Sequence, residues 1–147
     1  MSVEEYWGNF LKLNDLDKDT KYYDAFCFYG YTDEITDELT KLVLEGKKKA
    51  TTSVFLEEET YPVIGSYSIV LDRSLTPVCI IKTTKTHILR FKDMPLELAS
   101  KEGEGENLDS WFFDHSIVFK KEAEEIGYQF SLDMPIFFEE FEVVYKN

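Results

Sequence analysis

The feature that most constrains the fold is a run of fourteen residues, 78–91, in which Val, Ile and Thr occupy half of the positions. Such residues favour β-strands, but a typical strand has only about 5–6 residues. The run therefore predicts one long strand with a bulge or a strong bend, which we place near Thr83 to Thr86. In segment 66–72, Tyr67, Ile69 and Leu71 alternate with Ser66, Ser68 and Asp72, as in a half-buried strand. The turn-rich link 72–77 joins the two strands, so we predict a hairpin in the middle of the chain.

Helical patterns flank these strands on both sides. Thr32 and Asn107 are suited to begin helices, and Gly46 and Gly127 are suited to end them. The predicted elements, in order, are a helix over 3–13, a short strand within 22–31, a helix from 33 to about 45, a strand from Thr52, the hairpin, a short helix after Pro95, a helix over 108–126 and a strand over 136–145. Strands clustered in mid-chain and at the end argue against a doubly wound parallel sheet. They favour an α+β fold around a small mixed or barrel-like sheet.

Length and composition indicate a single folded domain over residues 1–147. The chain is 44% hydrophobic and 16% aromatic, which is enough for one sizeable core. It has neither an apolar run of about 18 residues nor a signal-peptide pattern, so we expect no membrane segment and a cytoplasmic location. Its two cysteines, Cys27 and Cys79, have apolar neighbours and no metal-ligand spacing. We predict buried, reduced thiols, no metal site and no cofactor.

The net charge of −13 disfavours broad binding to DNA or RNA. Basic residues nevertheless gather in two segments, Lys47 to Lys49 and, later, Lys82, Lys85, Arg90 and Lys92. If these segments meet in space, they form a positive window in an otherwise negative surface. Such a window suits one anionic or polar ligand better than a long duplex.

The candidate chemistry begins at the junction 46–53, where lysines and hydroxyl residues follow the predicted end of a helix. Lys48 could activate the hydroxyl of Thr51 if burial or the flanking lysines lowered its pKa. The alternative is that the lysines are solvated near a helix terminus and that Thr51 simply starts a strand. Glu102 and Glu104, in the predicted glycine-acid loop 101–106, could supply a carboxylate, although acidic loops are more often solvated.

Two further residues, on the predicted helix 108–126, have both a structural and a functional interpretation. His115 lies on the apolar face, which favours a core histidine over a catalytic one. Trp111 shares the helical register of Phe119, which favours a core position over a stacking platform for a base.

The octapeptide Gly46-Lys47-Lys48-Lys49-Ala50-Thr51-Thr52-Ser53 resembles the ASCH domain family, whose fold is related to the PUA-like β-barrels. Phe91-Lys92-Asp93-Met94, Glu102-Gly103-Glu104-Gly105 and Trp111 extend the resemblance, which covers about residues 33–145. Residues 1–32 would be an extension packed on that domain.

Some small members of this family hydrolyse N4-acetylcytidine with a Lys, a Thr and a Glu. The resemblance implies Lys48, Thr51 and Glu102 as catalytic residues, the last with a one-residue gap in the preceding helix. It also implies a ligand-binding set, namely Gly46, Lys47, Ser53, Lys82, Glu104 and Trp111. Ser53 departs from the family pattern, which has Arg there, so the substrate need not be the same.

From the resemblance we expect a pocket for a nucleoside- or nucleotide-like ligand, with hydrolysis of an amide such as that of N4-acetylcytidine as the candidate reaction. The alternative is a non-catalytic RNA-binding module that holds short RNA. The oligomeric state is left open.

Overall fold

The computed structural model describes residues 1–104 and 107–147. The helices are α1 (Val3–Leu13), α2 (Asp33–Leu44), α3 (Leu96–Ala99) and α4 (Leu108–Ile126), and 3₁₀ turns span Phe91–Asp93 and Ser100–Glu102. The strands are β1 (Asp24–Cys27), β2 (Ala50–Val54), β3 (Tyr67–Leu71), β4 (Pro77–Arg90) and β5 (Pro135–Lys146). The predicted order of elements is confirmed, although β2 begins two residues before the predicted Thr52.

The five strands form one curled sheet, a half-barrel, in the order β1-β3-β4-β5-β2. β1 runs parallel to β3, and the other neighbours are antiparallel. The long strand β4 pairs with β3 at its beginning and with β5 along most of its length. Its register against β5 shifts between Ile80 and Ile81 and again between Thr83 and Lys85. The second shift confirms the predicted bulge, and the sheet confirms the α+β, barrel-like fold.

The predicted helix caps are present. The Thr32 side chain accepts a hydrogen bond from the Ile35 amide at the start of α2, and Asn107 accepts one from the Ser110 amide at the start of α4. Gly127 ends α4 in the left-handed region, with a φ of 88°. These local signals explain why the helix boundaries could be read from the sequence.

Three apolar clusters hold the helices on the sheet. α4 and the Phe91–Asp93 turn pack on β2 and β5 through Phe91, Trp111 and Phe138. The residues of α1, within the 1–32 extension, pack on Ile69 and Ile80 of the sheet. α2 packs on β3 and β4 through Leu39 and Val43. The helices on the α2 and α4 sides frame the cavity described below.

Cys27 and Cys79 are free and buried, as predicted. Burial raises the pKa of the Cys79 thiol to about 12. Within residues 1–104 and 107–147, no helix combines the length and the apolar character that a membrane crossing requires.

Candidate functional site

A cavity of about 510 Å³ opens between the β1–α2 segment, β2 and α4. One wall is aromatic and includes Phe28, Tyr29, Tyr31 and Tyr61. The lining also includes charged side chains, among them Lys48, Glu102 and Glu104. The volume lies within the range of roughly 300–1,000 Å³ that small-molecule sites occupy.

A buried ion cluster lies at one end of this cavity. The Lys48 ammonium donates to Glu102 Oε1 at 3.2 Å and to Glu104 Oε2. Lys48 is only 2% exposed and Glu102 only 1%. Lys48 also lies over the Phe28 ring, with 5.5 Å between Nζ and the ring centroid. The structure therefore brings Lys48 together with Glu102 and Glu104, each more than fifty positions away from it in the sequence.

Local backbone contacts fix both partners of the ion pair. The Lys48 amide donates to the Leu42 carbonyl at 3.0 Å, which ties the segment to the end of α2. The Lys49 amide donates to the Lys101 carbonyl at 2.8 Å, which ties it to the 3₁₀ turn that carries Glu102. Gly103 follows at a φ of 68°, and a Cβ there would lie 2.4 Å from the Lys47 carbonyl oxygen. Only glycine permits this close approach without rearrangement.

Glu102 accepts several further hydrogen bonds. The Trp111 indole N–H and the Thr52 hydroxyl both donate to Oε2, the latter at 2.9 Å. His115 Nε2 lies 3.2 Å from the same oxygen, and its ring stacks on Trp111 with 4.1 Å between centroids. Glu102 was predicted to lie in a loop, but it ends the 3₁₀ turn Ser100–Glu102. Of the predicted loop 101–106, Gly105 and Glu106 lie outside the described residues.

These contacts determine the charge states of the cluster. Burial alone would raise the pKa of Glu102, but Lys48 and His115 outweigh it and hold that pKa well below its ordinary value. Burial alone would lower the pKa of Lys48, but the Glu102 and Glu104 carboxylates raise it. For Glu104, burial prevails over the attraction of Lys48 and raises the pKa. Glu102 is therefore held in its ionised form, whereas the raised pKa of Glu104 makes that carboxylate the easier of the two to protonate.

The state of Lys48 differs from both sequence interpretations. Lys48 is buried and not solvated, and the carboxylates of Glu102 and Glu104 raise its pKa, whereas activation of Thr51 required burial or the flanking lysines to lower it. Lys47 instead lies on the surface beside Glu45. An ammonium held in this way donates hydrogen bonds and does not accept a proton.

The two threonines of β2 differ in their contacts. Thr51 lines the cavity, but none of the hydrogen bonds among described residues joins its hydroxyl to Lys48 or Glu102. Thr52, which also lines the cavity, makes the bond to Glu102. Successive side chains of a strand point to opposite faces, so only one of the two can face the carboxylate of Glu102. Sequence reasoning did not select Thr52.

His115 was interpreted as a satisfied core histidine; it is largely buried and hydrogen-bonded, and it also lines the cavity and contacts Glu102. Burial would lower the pKa of His115, but the Glu102 carboxylate outweighs this effect and raises it. Trp111 is buried, as its helical register predicts, and donates to Glu102; it is absent from the described cavity lining, so the ligand contact that the resemblance implied is not observed. Trp111 therefore orients Glu102. The spacing of residues in the sequence did not show that Trp111 and His115 stack on each other and together contact the Glu102 carboxylate.

The remaining predicted ligand residues are dispersed. Ser53 and Glu104 line the cavity, whereas Gly46, Lys47 and Lys82 are not part of its described lining. Lys82 lies over the Tyr67 ring.

The predicted positive window does not face the cavity. Arg90 pairs with Asp93 and Lys92 with Asp133, away from the site. Within the described lining, Lys48 is the one Lys or Arg side chain, and the acidic side chains are Asp24, Glu38, Glu102, Glu104, Asp114 and Glu139. The cavity is thus acidic apart from the paired lysine.

Glu102, Glu104 and His115 also offer three potential metal-ligand atoms within 4.8 Å of one another. The Lys48 ammonium, bonded to both carboxylates, already supplies a positive charge there. A divalent cation would have to displace that ammonium, so the donor set does not fit a resident metal well.

A curled five-stranded half-barrel with a polar cavity beside its edge strand defines a protein of the PUA-like fold class. The model of the ASCH domain matches residues 25–145. The chain belongs to the ASCH domain family.

Solved structures support the same assignment. Protein EF3133 from Enterococcus faecalis V583 is 36% identical, with a TM-score of 0.87 over 99% of this chain and 94% of that chain. An ASCH domain from Lactobacillus crispatus JV V101 is 25% identical, with a TM-score of 0.82 over 99% of this chain and 96% of that chain. Both similarities include the N-terminal helix α1. No match was found among curated proteins.

Proposed function

We propose that this ASCH domain binds a nucleoside-like ligand in the cavity and hydrolyses an exocyclic amide on it, as in N4-acetylcytidine. The observation that carries the proposal is the Lys48–Glu102–Glu104 cluster, with Lys48 and Glu102 buried, in the lining of an aromatic-rich cavity of about 510 Å³. Burying Lys48 and Glu102 is costly for folding alone. Such clusters are common where charge develops during a reaction.

The roles follow from the charge states. The Lys48 ammonium is a hydrogen-bond donor for the amide carbonyl oxygen, on which negative charge develops during attack. Glu102 keeps Lys48 charged and in place, and Trp111 and Thr52 orient Glu102. Lys48 therefore acts as an electrostatic catalyst, which replaces the general-base role implied by the resemblance.

The proton is handled by Glu104 in this scheme. The Thr51 hydroxyl, which lines the same cavity, attacks the carbonyl carbon while Glu104 accepts its proton through a bridging water, and the C–N bond breaks as Glu104 returns that proton to the leaving nitrogen. Water then hydrolyses the threonine ester and releases acetate. The raised pKa of Glu104 suits a group that accepts and returns a proton.

The acidic lining favours an uncharged ligand. Asp24, Glu38 and Asp114 border the cavity, so a phosphate on the ligand would be repelled. The alternative, a non-catalytic module for short RNA, is less well supported because the lysines expected to hold phosphates lie elsewhere. RNA binding would also weaken steeply with salt, whereas nucleoside binding would change little.

The deciding assay is release of acetate and cytidine from N4-acetylcytidine by the purified protein. We expect Lys48→Met to abolish turnover and Lys47→Met, its exposed neighbour, to retain it. Turnover by Lys48→Met at the wild-type rate would refute the mechanism, and no turnover by folded wild-type protein would refute the hydrolysis. The 5′-monophosphate of the same nucleoside should be the poorer substrate.

A further inference from the structure

A buried carboxyl group other than Glu102 lines the same cavity and has no role in the mechanism above. Glu139 lies on β5, lines the cavity and is 6% exposed. Ser68, on strand β3 of the same sheet, also lines the cavity and is 2% exposed. The sheet therefore contributes a buried polar surface that is separate from the Lys48 cluster.

Among the described residues, only one oxygen of the Glu139 carboxylate has a hydrogen-bond donor. The Thr83 hydroxyl donates to Oε2 at 2.7 Å, and no donor among the described residues contacts Oε1. No salt bridge of the described residues includes Glu139, whereas the adjacent Glu140 pairs with His87 and Lys101. One oxygen of Glu139 is thus left for a group that enters the cavity.

This arrangement is unfavourable for the protein alone. A buried carboxyl group without a cation or a full set of hydrogen bonds destabilises the folded state. Burial accordingly raises the pKa of Glu139, against a smaller lowering by the Thr83 hydroxyl. A ligand that donates a hydrogen bond to Oε1 would remove part of this penalty.

The strand register places Glu139 near the proposed reaction centre. Thr51 of β2 lies directly opposite Glu139 of β5. Directly opposed residues project to the same face of a sheet, with Cβ atoms about 4.5–5.5 Å apart. A ligand whose carbonyl group reaches Thr51 therefore passes Glu139.

We propose that Glu139, held by Thr83, is a specificity-determining residue whose Oε1 accepts a hydrogen bond from an N–H or O–H group of the bound ligand. This inference rests on the proposed nucleoside function, in which the donor is either the exocyclic N–H of the base or a ribose hydroxyl. It assigns recognition to the sheet side of the cavity and chemistry to the Lys48 side.

Calorimetric titration with cytidine and with cytosine, which are not turned over, tests the proposal. We expect Glu139→Leu to weaken cytidine binding by about 10- to 100-fold, because a hydrogen bond to a charged group is lost. Glu139→Gln, which keeps an acceptor oxygen, should lose less. Glu142→Gln makes the same charge change at an exposed position of β5 and should bind as wild type does.

The two ligands distinguish the donors. If Glu139 contacts the base, Glu139→Leu weakens cytosine and cytidine equally; if it contacts the ribose, only cytidine is weakened. Unchanged affinity of Glu139→Leu for both ligands would overturn the proposal.

A stability measurement separates this inference from the proposed function. If wild type binds neither ligand, the nucleoside function fails, and the melting temperature of the double variant Glu139→Leu/Thr83→Val decides the role of Glu139. A carboxyl group kept for ligand recognition is dispensable for folding, so the melting temperature should be unchanged or higher. A fall of more than about 3 °C, roughly 1 kcal/mol for a chain of this size, would show a structural role and overturn the inference.

Discussion

Replacement of Lys48 by Met gives the sharpest test of the ion cluster, because it keeps the length of the side chain and removes the charge. Lys48 Nζ lies 3.2 Å from Glu102 Oε1, and both groups are buried. Coulomb's law at that distance, with an effective dielectric constant of about 20, gives an attraction of about 5 kcal/mol. The removal of one partner from a buried pair typically destabilises by about 3–5 kcal/mol. We therefore expect Lys48→Met to unfold roughly 10–15 °C below wild type at pH 7.

The pH dependence of this loss follows from the direction of the Glu102 shift. Its pKa is held below the ordinary value of 4.5, so the stabilisation is complete above that value and is lost as pH falls towards the lowered pKa. The difference between wild type and Lys48→Met should thus be largest at neutral pH and shrink below about pH 4.

Urea denaturation followed by circular dichroism at several pH values measures this difference. Lys47→Met is the matched control, because Lys47 is exposed and, among the residues that the structure describes, pairs with Glu45 alone. Its expected effect is below about 1 kcal/mol. If Lys48→Met were no less stable than Lys47→Met at pH 7, the buried ion pair as described would be refuted.

Three further outcomes are expected. Gly103→Ala should lower the free energy of unfolding by about 3 kcal/mol, because the new methyl group clashes with the Lys47 carbonyl and the backbone is left-handed. Gly46→Ala has a similar φ but open space around the methyl group, so it should cost only about 1 kcal/mol. Equal losses in urea denaturation would contradict the close approach at Gly103. Burial raises the pKa of Glu139, so wild type loses stability as pH rises from about 4.5 through that raised pKa. The melting temperature of Glu139→Gln should therefore equal that of wild type at pH 4 and exceed it at pH 8. A lower melting temperature of the variant at pH 8 would contradict this reasoning. Cys79 is fully buried, with its pKa raised to about 12, and should react with a thiol reagent only on unfolding, so prompt labelling of the native protein would show the packing to be wrong.

Much of the fold could be predicted because its signals are local. Caps such as Thr32 and Asn107 mark helix starts within a few residues of the chain, and the length of β4 required a bulge. The strand order was not readable in the same way. The pairing of β2 with β5 and the parallel pairing of β1 with β3 depend on contacts between segments that are distant in sequence.

The site residues, too, could be predicted where the signal is local in sequence and not where it depends on distant contacts. The glycine-anchored motif and the family resemblance selected Lys48 and Glu102, which the structure joins. Periodicity assigned His115 to the core because it cannot show that the apolar face of α4 meets a buried carboxylate. The charge of Lys48 was misjudged because its neighbours in sequence are lysines, while its neighbours in space are acids.

The position of β5 has a consequence for how the molecule is assembled. Val54 of β2 pairs with Ile136 of β5, so the strand that follows Lys48 finds its partner only after a long stretch of intervening chain. Closing so long a loop costs conformational entropy before the contacts form, and distant pairings slow folding. During synthesis, β2 and the far edge of β4 are both unpaired until β5 leaves the ribosome. Unpaired strand edges favour aggregation, so the pairing of β2 and β4 with the last strand delays the protection of both edges until synthesis is nearly finished.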